Sequence, residues 1–222
     1  HDMEKLRKRG IDRMTEEQYR RASKKVFLVV TIVYAYIGLT MLAYMTANKD
    51  ANVGKSVVQL VVALAVIAIA TFGHLTQSAT RQGAVILCTS MAVGYVIIML
   101  LNSTEGTWAY AFPMLIAVLA YLDYRLMIAG NVVVIGSNIL RLVIHFDPSN
   151  SALLTDNVLA VFILCLFAYA SISVTKLLIK FNEENMSELE KAAETQGESN
   201  KKMVLVAENV MKHFDNAMEM LD

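Results

Sequence analysis

Residues 158–179 read VLAVFILCLFAYASISVTKLLI, and residues 180–222 follow without a proline as KFNEENMSELEKAAETQGESNKKMVLVAENVMKHFDNAMEMLD. The first stretch holds one charge, Lys176. A helix needs about 20 apolar residues to cross a hydrocarbon core of roughly 30 Å, so 158–179 is long and apolar enough to span a bilayer. The second stretch is polar, yet an apolar seam runs through it in register with the span. From Ile172 the steps of three and four residues alternate through Thr175, Ile179, Asn182, Met186, Leu189, Ala193, Gln196, Asn200, Met203, Ala207, Val210, Phe214, Ala217 and Leu221. A 3.5-residue period kept this long predicts a coiled coil that grows directly out of a membrane helix. Asn182, Gln196 and Asn200 place polar groups in the seam, which fixes register at some cost in stability. One helix cannot form a seam alone, so at least a homodimer through the last helix is expected.

Working back toward the N-terminus, further apolar blocks lie at about 26–46, 56–75, 84–102, 107–122 and 126–146. The fourth is the shortest and holds Pro113. Short polar links separate the blocks, the longest running from Phe146 to Asn157. Helix is the expected form throughout, because an open strand edge in lipid leaves backbone groups without partners. The expected fold is therefore an all-α polytopic membrane protein with six transmembrane helices, the last continuing into a cytoplasmic coiled coil. It divides into a basic cytoplasmic segment (1–25), a six-helix transmembrane sensor domain (26–179) and a cytoplasmic signalling helix (180–222).

Orientation follows from the excess of Lys and Arg on cytoplasmic loops. With the N-terminus inside, the inner flanks hold nine basic residues of the first 25 together with Arg81, Arg125, Lys176 and Lys180. The outer loops hold Lys49 and Lys55. Both termini are accordingly expected in the cytoplasm, and the basic N-terminus suits anionic lipid better than nucleic acid.

The composition agrees. The chain is 56% hydrophobic with no net formal charge, and its mean hydropathy is +0.47. Cys88 and Cys165 fall inside apolar blocks and read as small hydrophobes rather than a disulfide. The four histidines are scattered, no pair has metal-ligand spacing, and no glycine-rich phosphate loop or nucleophile elbow is present. No catalytic residues, metal or cofactor are expected, and Asp123 with Arg125 reads as an orienting pair.

The runs Glu188-Leu189-Glu190-Lys191-Ala192-Ala193-Glu194 and Val206-Ala207-Glu208-Asn209-Val210 resemble the helix between membrane and signalling tip in bacterial methyl-accepting chemotaxis proteins. Phe214 to Leu221 continues the likeness, which covers about the last 40 residues. The sequence departs from that family in lacking a large periplasmic ligand domain and in ending before the glycine-containing tip. What the resemblance implies is a multi-span sensor in a bacterial inner membrane. Its partners would be a chemotaxis histidine kinase and coupling protein, engaged through the tip. Gln196, Glu198 and Glu208 are of the residue types that the family methylates.

With outer loops this short, a stimulus has to be read inside the bundle or at its outer mouth. Asn131, Asn138, Arg141 and His145 fall in an arc of about 80° on the fifth span, with Val134 in the same row. An Arg at mid-membrane costs about 2.5–3.5 kcal/mol on insertion scales, so this row should face the bundle interior or water. Trp108, Tyr110 and Glu105 open the fourth span at the same level, and Asp147 and Asp156 sit in the next loop. Arg141, His145, Asn138, Tyr110, Trp108 and Glu105 form the expected binding set, suited to a small anionic or planar polar ligand. Arg141 could instead pair permanently with Glu105 or Asp147. A sensor feeding a histidine kinase or nucleotide cyclase has the same membrane part. A small-solute transporter is the rival, but it predicts internal repeats that the two halves do not show.

Overall fold

The computed structural model describes residues 14–47, 53–102, 104 and 106–219. All regular structure among them is helical. α1 is Glu16–Ala47, α2 Val53–Gln77, α3 Arg81–Leu101, α4 Ala111–Val118, α5 Tyr124–Ile144 and α6 Ser151–Glu219. Short 3-10 turns, Thr107–Tyr110 and Leu119–Tyr121, extend α4 at both ends. Five of these helices, all but α4, are long and apolar enough to cross a membrane. The chain divides into two compact units at Lys176 and Leu177.

In the first unit α1 packs against α2, α3 and α4, and α3 packs on α5. Small side chains let the helices approach: Ala63, Ala70 and Ala84 are essentially fully buried. Gly94 on α3 meets two helices at once, where a Cβ would stand 2.5 Å from Val66 Cγ2 and 2.7 Å from the Tyr34 hydroxyl. Tyr34, fully buried on α1, donates its hydroxyl to the Met91 carbonyl of α3. Across the outside of the bundle large apolar side chains are bare, among them Leu39, Phe72, Leu75, Phe162 and Tyr169 at 61–78% exposure. Water would not tolerate so much apolar surface; lipid does. The protein is a multi-pass membrane protein by the hydropathy of its helices, and the bilayer is its partner.

The fourth apolar block ends at Tyr121, not 122, and is only partly α-helical. Its two 3-10 ends rise more steeply per residue, so 15 residues, Thr107–Tyr121, reach about 26 Å. Pro113 sits in the first turn of α4, where a missing N–H is tolerated. Leu122 then takes a left-handed conformation, φ 48°, which stops the helix and turns the chain. Asp123 caps α5 by accepting from the backbone N–H groups of Arg125 and Leu126. Its other oxygen accepts two hydrogen bonds from Arg81, at 3.0 and 3.1 Å. The side-chain partner of Asp123 is thus Arg81 of α3, while Arg125 meets Asp123 through its backbone N–H.

The longest expected loop is shorter than its polarity suggests. α6 begins at Ser151, seven residues before the apolar block, because Asn150 accepts from the Leu153 N–H and the Leu154 N–H bonds the Asn150 carbonyl. Asp156 and Asn157 therefore lie in a helix. α1 likewise starts at Glu16, well before residue 26, with Thr15 and Gln18 closing a reciprocal capping pair. Within the first unit α6 approaches the other helices less closely than they approach one another. Its buried stripe is Leu153, Asn157, Ala160, Leu164, Ala168, Ser171 and Thr175. Thr175 and the half-buried Ile172, expected as the first seam positions between two chains, thus face the chain's own bundle.

In the second unit one helix continues to Glu219, and residues 183–214 are exposed throughout. Met186, Leu189, Met203, Val210 and Phe214 of the seam are 49–69% exposed. The seam position Leu221 lies outside the described residues, as do residues 1–13 of the basic segment.

Candidate functional site

The polar row of α5 turns inward. Asn131, Asn138 and Arg141 are at most 3% exposed, and Val134 and Ser137 complete the buried face. Each asparagine satisfies part of its amide locally, donating Nδ2 to a carbonyl one turn back: Met127 for Asn131 and Val134 for Asn138. The same amide groups also reach neighbouring helices. Asn131 donates to the Ser171 hydroxyl of α6 at 3.1 Å, and Asn138 donates to the Tyr95 hydroxyl of α3 at 2.9 Å. Tyr95 in turn donates to the Trp108 carbonyl at 3.3 Å.

Arg141 is fully buried one turn further along. Its Nη2 donates to the Thr104 carbonyl at 2.7 Å, while Nε and Nη1 have no hydrogen-bond partner among the described residues. His145, the C-cap of α5, sets Nε2 at 3.1 Å from the Leu100 carbonyl. A carbonyl only accepts, so Nε2 carries the proton. Arg141 and His145 thereby tie the link after α3 to the end of α5.

α6 ties the same link from the other side. Asp156 accepts the Trp108 indole N–H at 3.0 Å through one oxygen and the Gly106 N–H at 3.2 Å through the other. It also acts electrostatically on Arg141. Asn157, next in the chain and 2% exposed, leaves its Nδ2 without a partner among the described residues. Arg141, His145, Asn138 and Trp108 are thus brought to one end of the bundle around Thr104, Gly106 and Tyr95. Tyr110 is not: its ring packs edge-on against Tyr36 of α1, 6.2 Å between centroids. Glu105 lies outside the described residues.

Asp147 belongs to its own turn. It accepts from both the backbone N–H and the hydroxyl of Ser149, bonds that hold its exposed carboxyl below the usual carboxylate range. Reading from sequence did not single out Tyr95 and placed Asp156 and Asn157 in a loop. The available signal was that Asp156 and Asn157 immediately precede an apolar block, where an inward polar pair is costly unless it has a partner.

At the opposite end of the bundle the Arg81–Asp123 pair joins the starts of α3 and α5, and the Tyr121 hydroxyl donates to Ser23 of α1 at 3.2 Å. His74 stacks on Phe27, 4.7 Å between ring centroids, as a residue of the α1–α2 contact. Cys88 and Cys165 are free.

No family model, curated protein or solved structure matches this chain.

Proposed function

We propose that this chain is the membrane-sensing portion of a homodimeric receptor of the methyl-accepting chemotaxis type. It reads a small ligand at the Arg141 end of its bundle and passes the change through α6 to a cytoplasmic kinase-control module. The observation that carries this reading is one helix with two kinds of surface. Its first turns hold Asp156 against Trp108 and Gly106, and residues 183–214 present a bare apolar seam. An isolated amphipathic helix of that length gains little from propensity alone, and a second copy of the same seam supplies what it lacks.

Topology belongs to the same proposal. Six crossings, with both termini in the cytoplasm of a bacterial cell, put the Asp123 end inside and the Thr104 end outside. The contacts of the short fourth segment support this: Trp108 meets Asp156 at one end of the bundle, and Tyr121 meets Ser23 at the other. The segment runs the length of the bundle although it is too short to be recognised by length alone.

Cross-linking tests the reading. In a Cys88→Ser, Cys165→Ser background, Val210→Cys is placed in the seam and its disulfide formation is timed in native membranes. Asp156→Asn weakens the tie of α6 to Trp108 and Gly106. For a receptor it changes the cross-linking rate by about fivefold or more, the lower range of measured couplings between sites. A transporter using the polar row as its path gives another pattern: tail cross-linking is unchanged, and solute flux into proteoliposomes falls instead.

A further inference from the structure

The geometry points to a small monocarboxylate as the ligand of the outer cluster, bound by the free N–H groups of Arg141. This deepens the receptor reading and rests on it. The starting observation is an imbalance of donors. A guanidinium carries five N–H groups, and a fully buried one needs acceptors for them. Arg141 meets the Thr104 carbonyl and leaves Nε and Nη1 unmet among the described residues. On α6, Asn157, next to Asp156 and 2% exposed, leaves its Nδ2 unmet among them as well. The buried side-chain atoms of α5 and α6 that lack a partner among the described residues are thus all donors. Groups of this kind are expensive to bury empty, and a cation without acceptors most of all. What the cluster lacks is an acceptor-rich, negatively charged partner.

Two features narrow the class. The guanidinium is planar and pairs best with a planar two-oxygen acceptor, which is a carboxylate rather than a halide. Among the described residues Arg141 is the one cationic side chain of the cluster, His145 being accounted for by the Leu100 carbonyl, and Asp156 already lowers the local potential. A dianion such as phosphate would leave uncompensated charge there, so a single negative charge fits.

Asp156 of α6 already acts electrostatically on Arg141. An anion drawn to Arg141 repels Asp156, whose hold on the Trp108 indole and the Gly106 N–H would then weaken. Trp108 is the only tryptophan in the chain, so its emission reports that contact directly.

The test uses the full chain in lipid nanodiscs titrated with sodium acetate, against sodium chloride at matched ionic strength. Expected are a saturable shift of Trp108 emission and a rise in thermal midpoint with acetate, and neither with chloride. Arg141→Lys keeps the charge and loses the fork, and should weaken acetate by about tenfold or more. No saturable acetate response in wild type would overturn the proposal, as would an equal response to chloride or an undiminished one in Arg141→Lys. The receptor reading fails separately: acetate would bind as described and Val210→Cys cross-linking would not change on its addition.

Discussion

Two residues show how much of this molecule turns on single side chains. Gly94 of α3 sits against both α1 and α2, and the two atoms nearest its missing Cβ belong to Val66 and to Tyr34, both buried. Neither can yield cheaply: Val66 is β-branched, and Tyr34 is held by its bond to Met91. Gly94→Ala should destabilise the bundle by about 1–3 kcal/mol, as overpacked cores do, visible as a lower melting midpoint in detergent. A midpoint equal to wild type would mean that the helices have room the contact denies. Arg141 is the opposite case, a buried side chain with too few partners. Its inward face was legible from the 100° spacing of Asn131, Asn138 and Arg141. Its partner was not, because the Thr104 carbonyl is a backbone group in a link that no side-chain pattern marks.

Helix α6 sets the problem at the scale of the element. Its inward stripe in the first unit, through Ser171 and Thr175, continues in the same three-four register into Ile179, Asn182, Met186 and Leu189. Periodicity alone cannot say whether such a stripe meets its own bundle or a second chain, since both require the same spacing. The seam free for a partner therefore starts later than the pattern does. Single cysteines at Met186 or Val210 should form interchain disulfides readily, and one at Lys212 poorly. One at Ile172 should also cross-link poorly, because that position packs against the chain's own core. The run Met203-Val204-Leu205-Val206 is apolar and exposed on every side, so contrast between neighbours should be weakest there. Equal yields at Ile172 and Val210 would mean that the two halves of the stripe do one job.

Over the whole molecule the charge asymmetry predicts the orientation on which the proposed topology rests. Cysteines at Asn52 and Ser151 should react with an impermeant thiol reagent added to intact cells, and one at Gln82 should not. Labelling at Gln82 from outside would mean that the short segment Thr107–Tyr121 turns back without crossing, or that the orientation is reversed. The two possibilities separate at Ser151, which stays labelled only in the first. What the amino-acid sequence determines by itself is what hydropathy and period encode locally: helices, their approximate ends, the inward row of α5 and the seam of α6. A span announces itself by the free energy of its own residues in lipid, whatever its neighbours do. Only the tertiary structure decides which polar groups meet: Asp156 with Trp108, Asn138 with Tyr95, Arg81 with Asp123 rather than Arg125 with Asp123. These pairs join residues 42–48 positions apart across different helices. Their meeting depends on how each helix is rotated and how deep it sits, which packing between small residues sets and no single helix contains.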